Sequence, residues 1–297
     1  MDSMDIRKIQ KTGDMHYMYL PTSWCREHKI GAASKVGIRQ GSGGSLVITP
    51  KLVDKKRKKI NLSVSEDNLE IINKLVVACY INPLDSFTIN LEKALDQRKL
   101  LDQKRLLSVE LMEIEGKKVT CESSFGVSEP DILLRTLVSK IKNMLIVMTR
   151  NYNEELIQRY EEEIDRNRLL IDKSVISSIT FNRETRMKTI NLHYISLIAK
   201  DLERMVDHLI LVDRKDKAFI ESITELMSSL KDVIEVALDP EKSLDYNYVI
   251  KFARKIFRMK EDKVVDIKSY YKIRVRHYFG SISEVLMDWA VTNLVEQ

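Results

Sequence analysis

The chain has 297 residues, 44% of them hydrophobic and 31% charged, with only 9 glycines and 5 prolines. These values exclude collagen-like, low-complexity and wholly disordered chains, and turn formers are too scarce for many short hairpins, so long helices must fill much of the length. Charge is uneven: residues 1–59 hold 13 Lys/Arg against 5 Asp/Glu, whereas the whole chain is only +5, so the remainder is net negative.

No apolar run approaches a bilayer span, and the start of the chain carries early acids rather than a hydrophobic leader. The expectation is a soluble, cytoplasmic protein with no direct membrane insertion. Cys25, Cys79 and Cys121 are three in number and widely spaced, which gives neither a disulfide framework nor a CxxC metal signature. They read as small buried hydrophobes. The histidines at 16, 28, 193, 208 and 277 form no HExxH pair.

In chain order, residues 6–11 and 16–20 read as strands about the turn formers Thr12, Gly13 and Asp14. Pro21 ends pairing, Thr22 or Ser23 is placed to cap a short helix through about Lys29, and Gly31 fits its stop. Residues 35–39 and 45–49 are strands about Gly41-Ser42-Gly43-Gly44. A unit this small needs a shared core for Ile6, Ile9, Tyr17, Tyr19, Leu20, Trp24, Val36, Ile38, Leu46 and Ile48, so dimerisation is expected. The run from Arg7, RKIQKTGDMHYMYLPTSW, with the Gly31 break and the Gly44–Ile48 strand, resembles the AbrB/SpoVT swapped-hairpin domain. Ala32-Ala33-Ser34-Lys35 stands where that family usually has Pro-Gly or Gly-Asp. The resemblance implies an interlaced homodimer forming a β barrel over residues 1–52 that binds double-stranded DNA. Arg7, Lys8, Lys11, Arg26 and Lys29, which flank the opening turn and the short helix, are its candidate phosphate contacts.

Residues 51–59, including Lys55-Lys56-Arg57-Lys58-Lys59, form a charge-rich connector. Residues 60–128 mix types: strands at 60–64 and 87–91, a helix over 66–79, a further helix over 96–112, and a pairing of 117–122 with 124–127. With no glycine loop for nucleotide phosphates, this α/β domain is assigned to coupling or dimer support.

From Glu129 onward the apolar period is 3.6 residues. Six stripes, beginning near Leu133, Leu156, Ile190, Phe219, Tyr248 and Lys272, give two three-helix bundles over 129–213 and 214–297. The fifth helix is expected over about 248–269 and the sixth over about 272–294. The fold class is therefore multidomain α+β. Within the helices stand four acid pairs at i,i+4: Glu161/Asp165, Glu203/Asp207, Asp262/Asp266 and Glu284/Asp288. Each pair shares one helix face, and hairpins would bring two pairs together. Hard oxygen ligands suit magnesium, calcium or manganese, and carboxylate-rich sites also hold iron or zinc, so the cofactor class is a divalent or trivalent metal ion of open identity. Solvated acidic faces are the competing reading.

The segments EEEIDRNRLLI (161–171) and LIAKDLERMVDH (197–208), with EDKVVD (261–266) and EVLMDWAVTNLVE (284–296) as a second copy, resemble the PhoU family of phosphate-uptake regulators. Asp165 and Glu203 are 38 residues apart but Asp266 and Glu284 only 18, so the second hairpin is shortened. The whole order resembles the archaeal PhoU-type fusion proteins. It implies a non-enzymatic regulator of phosphate uptake or homeostasis, with metal ligands at those eight acids and a phosphate-transporter component or signalling protein as partner. Two rivals remain open: a dimeric scaffold or transporter-interaction protein without DNA contact, and a metal-dependent phosphoester hydrolase.

Overall fold

The computed structural model describes residues 6–40, 45–50, 58–94, 111–122, 128–181, 187–259 and 263–295. The 41–44 connection, residues 51–57 of the connector, 96–110, 124–127 and Asp262 lie outside them. The chain divides into two compact units, residues 1–56 and 57–297.

The first unit has the expected β-β-α-β-β order with shorter strands. β1 (Gln10–Thr12) pairs antiparallel with β2 (Met15–Tyr17), and β3 (Gly37–Gln40) with β4 (Leu46–Thr49), as two separate two-stranded sheets, with no barrel closed among the described residues. Gly13 turns the first hairpin at φ +60°, a conformation that costs glycine little. Between the sheets lies α1 (Thr22–Glu27), whose N-cap is Pro21 without a side-chain hydrogen bond, so neither Thr22 nor Ser23 caps it. It ends at Glu27 with His28 as its C-cap, short of the expected Lys29 and before Gly31. Lys29 takes the left-handed φ of +54°, and the Ile30 amide donates to the Cys25 carbonyl at 2.8 Å, satisfying a last-turn acceptor. No α1 residue is buried, and Ile9, Tyr17, Tyr19, Ile38 and Leu46 are all exposed.

In the second unit, β5 (Lys59–Val64), α2 (Leu69–Ile81) and β6 (Ser86–Leu91) make a parallel crossover, and β6 continues antiparallel to β8 (Lys118–Glu122) and then β7 (Leu111–Glu115). Residues 111–112, expected in a helix, are thus strand. Alternate residues Phe87, Ile89 and Leu91 of β6 and Val119 and Cys121 of β8 point inward against Ile72, Val76 and Cys79 of α2. The Asn68 side chain caps α2 by accepting from the Glu70 amide at 2.9 Å.

Six helices follow: α3 (Pro130–Arg150), α4 (Glu154–Phe181), α5 (Thr189–Leu209), α6 (Lys217–Ala237), α7 (Tyr246–Phe257) and α8 (Ile267–Val295). α3, α4 and α5 touch one another, α7 touches α6 and α8, and the pairs α3/α6 and α5/α8 join the two triplets around one continuous core. α5 and α8 run antiparallel: Trp289 donates to Asn191 at 3.0 Å at one end, and Ser281 meets Asp201 at 2.5 Å further along. The fifth helix ends at Phe257, well short of its expected length, and α8 starts at Ile267, earlier than expected.

α4 is held on three sides. Ile164 and Ile171 enter the helical core, and Leu169 joins the α/β core, where Lys173 is buried with its ammonium 4.2 Å from the Tyr80 ring centre. Asn167, only 4% exposed, donates its amide to the Leu133 carbonyl at 2.9 Å and so ties α4 to α3. Asn167→Ala should lower stability by about 1–2 kcal/mol, because the hydrogen bond is lost and a cavity opens. Urea denaturation should show a reduced midpoint with an unchanged slope.

Candidate metal centre

With three faces of α4 engaged, the fourth meets α5. Glu161, Asp165, Arg168 and Asp172 recur at helical spacing along that face, and α5 answers in antiparallel register. Ser196 donates to Asp172 at 3.1 Å, Asp165 comes to Glu203, and Glu161 feels the charge of Asp207. Ligand oxygens of Asp165, Glu203 and Asp207 lie within 4.8 Å of one another. Two oxygens on opposite sides of a cation bound at roughly 2.4 Å are about 4.8 Å apart, so the three fit one oxygen-coordinated ion.

The electrostatics point the same way. Burial pushes the Asp165 carboxyl up to about 7, with the charges of Glu203, Asp207 and Glu161 adding to the effect and Arg168 opposing it. Glu203 is raised by burial and by Asp207, and Asp207 by burial against the pull of His208, Arg204 and Arg168. Glu161 is raised by burial and by Asp207. Asp165 Oδ1 is buried with no hydrogen-bond partner. Carboxylates crowded and partly dehydrated in this way are relieved by a proton or by a cation, and an orphaned buried oxygen is what a metal ligand looks like without its metal. Asp165, Glu203 and Asp207 would hold such an ion, with Glu161 beside them, and the ion would supply fixed positive charge between α4 and α5.

Sequence spacing placed these four acids on facing helices but missed Arg168 and Asp172, whose ion pair (Nε to Oδ2, 3.5 Å) closes the inner end of the cluster. Both lie on the i+3 and i+7 continuation of the Asp165 face, and that spacing was the available signal. His208, next to Asp207, sits instead among Tyr270, Tyr271 and Tyr278, with ring centres 6.1, 6.1 and 5.8 Å away. Burial and the charge of Arg274 hold its imidazole below the ordinary range.

The second set of acids is placed differently. Asp262 lies outside the described residues. Asp266 is not on a helix face: it precedes α8 and accepts from the Ser269 amide at 2.7 Å, an N-terminal cap whose hydrogen bonds hold its carboxyl below the usual range. Glu284 and Asp288 are exposed on α8. Among the described residues no second group of three potential ligands converges. Arg7, Lys8, Lys11, Arg26 and Lys29 are all exposed in the first unit. Among the described residues, no helix is long and apolar enough to cross a membrane. Comparisons with protein-family models, curated proteins and solved structures find no match to this chain.

Proposed function

We propose that the chain is a cytoplasmic, non-enzymatic regulator of phosphate uptake of PhoU-like construction, dimeric through an AbrB/SpoVT-like head that binds double-stranded DNA. In this reading the six helices form two PhoU-like three-helix bundles. They bind a divalent or trivalent cation and present a surface to a phosphate-transporter component or signalling protein. The observation that carries the reading is the meeting of Asp165, Glu203 and Asp207 across α4 and α5, at positions where the PhoU resemblance puts ligands. Equilibrium dialysis against Mn²⁺ should find one site per chain that disappears in the Glu203→Gln, Asp207→Asn double variant. Equal uptake by both proteins would remove the site.

Support for DNA binding is the excess of exposed cations on a small unit with apolar faces open to a second copy. In β1, Lys11 pairs with His16 on one side of the hairpin, while Met15 and Tyr17 lie on the other, so one face can meet phosphates and the other a partner. Arg7→Ala with Lys11→Ala should weaken duplex binding and flatten its dependence on salt by up to about one unit per lost phosphate contact. The same apolar faces also fit a dimeric scaffold that never touches DNA. A chain that shows no duplex binding even at low salt would be that scaffold.

A further inference from the structure

The helical body as a whole balances its Lys/Arg and Asp/Glu, yet between residues 251 and 268 it holds seven Lys/Arg against three Asp/Glu. The structure organises this excess. Val249, Phe252 and Ile256 of α7 are buried in the core, while Lys251, Arg254, Lys255 and Arg258, at i, i+3, i+4 and i+7, are all exposed on the opposite face. None of these four has an acidic partner among the described residues, and Lys255 donates to Ser229 Oγ at 2.8 Å. Of the acids in the stretch, Asp266 is occupied in capping α8, and Glu261 and Asp262 lie outside the described residues. Lys268 is neutralised by Asp213 at 2.6 Å, and the four cations on α7 do not depend on it.

Where α7 ends and α8 begins, four exposed apolar side chains adjoin the basic stripe. Phe257 is 71% exposed, Val264 63%, Val265 82% and Ile267 61%, with Arg258 and Lys263 beside them. Four apolar side chains this open, flanking one short connection, are unusual on a surface that only meets water. A duplex or other water-soluble polyanion would reward the cations but gain little from two valines, an isoleucine and a phenylalanine. A bilayer interface rewards both: the cations meet phosphate headgroups, while the protruding aliphatic and aromatic groups enter the boundary with the acyl chains.

We propose that the basic face of α7, together with the exposed Phe257, Val264, Val265 and Ile267, docks the protein on an anionic lipid surface, as a peripheral contact that spans nothing. It depends on neither the metal centre nor the head, so its test leaves those readings untouched. The full chain carrying Cys25→Ser and Val265→Cys, labelled at position 265 with an environment-sensitive fluorophore, should shift to the blue with phosphatidylcholine vesicles containing one-third phosphatidylglycerol. Pure phosphatidylcholine should give no shift, and the label reports this connection whatever the head does. Replacing Lys251, Arg254, Lys255 and Arg258 by Gln should weaken partition at least tenfold, and so should Val264→Ser with Ile267→Ser. All six positions are exposed, and an unchanged thermal midpoint verifies the fold. No blue shift on anionic vesicles, or unaltered partition of the Gln variant, overturns the proposal. Full binding by the Ser variant also overturns it, and assigns the stripe to a soluble polyanion or acidic protein instead.

Discussion

Asp165→Asn should make the metal-free protein more stable at pH 8 and at the same time abolish its stabilisation by metal. In the folded state the Asp165 carboxyl is raised from 3.8 to about 7, chiefly by burial and then by the neighbouring carboxylates. A folded-state value above the unfolded one means that the group's stabilising contribution is fully present below about pH 4. That contribution is lost as pH climbs to about 7, and it changes no further above that. Holding a proton over that interval is worth at most about 4 kcal/mol, and contact of the cluster with water reduces this to roughly 1–3 kcal/mol. Glu161, Glu203 and Asp207 are shifted in the same direction and add to the trend. The metal-free wild type should therefore lose thermal stability between pH 5 and pH 8, and the Asn variant should lose less. A cation competes with the proton for the same oxygens, so Mn²⁺ should raise the wild-type midpoint strongly at pH 8 and hardly at all at pH 5. Differential scanning fluorimetry at the two pH values, with and without Mn²⁺, provides the check. A metal increment that survives in Asp165→Asn, or is equal at both pH values, would show that the cluster is an ordinary acidic face.

The contrast between the two acid sets shows what periodicity can and cannot reveal. Glu161/Asp165 and Glu203/Asp207 were legible because α4 and α5 are long, strongly periodic helices whose apolar stripes fix their rotation, so the acids had one face left to occupy. Arg168 and Asp172 are not legible in this way, because a cation three or four residues from an acid looks like a routine surface pair until the facing helix is known. The break after Phe257 was invisible for another reason. KFARKIFRMKEDKVVD contains neither Gly nor Pro, so no residue there marks the end of α7 at Phe257. The capping pattern of Asp266 three residues before Ser269 did mark the start of α8, and it competes directly with reading Asp266 as a ligand. In the head the order of the elements is legible in the sequence, but their extent is not. Hairpin turns and Pro21 announce the elements, whereas no residue marks where the short strands stop.

The largest change in assembly is expected in the head. Among the described residues its two hairpins form separate two-stranded sheets, and isolated two-stranded hairpins are marginal in water. In the β3/β4 register Ile38 faces Ile48 and Gln40 faces Leu46, so Ile38 and Leu46 share one side of the hairpin, 62% and 64% exposed. Covering them with a second copy would bury two aliphatic side chains on each of two protomers, at about 1.5–3 kcal/mol per side chain. Ile38→Asp with Leu46→Asp would instead force carboxylates into that contact. Even part of this difference moves the dimer dissociation constant by a factor of roughly a thousand. Light scattering should therefore find the full-length wild type dimeric at low micromolar concentration and the double variant monomeric. Duplex binding should fall with it, because two linked footprints hold a duplex far more tightly than one. Each basic patch remains intact in the variant, so a loss of affinity without a loss of cations isolates the contribution of pairing. A double variant that stays dimeric would put the subunit contact in the body. One that is monomeric yet binds DNA as well as wild type would break the link between pairing and recognition.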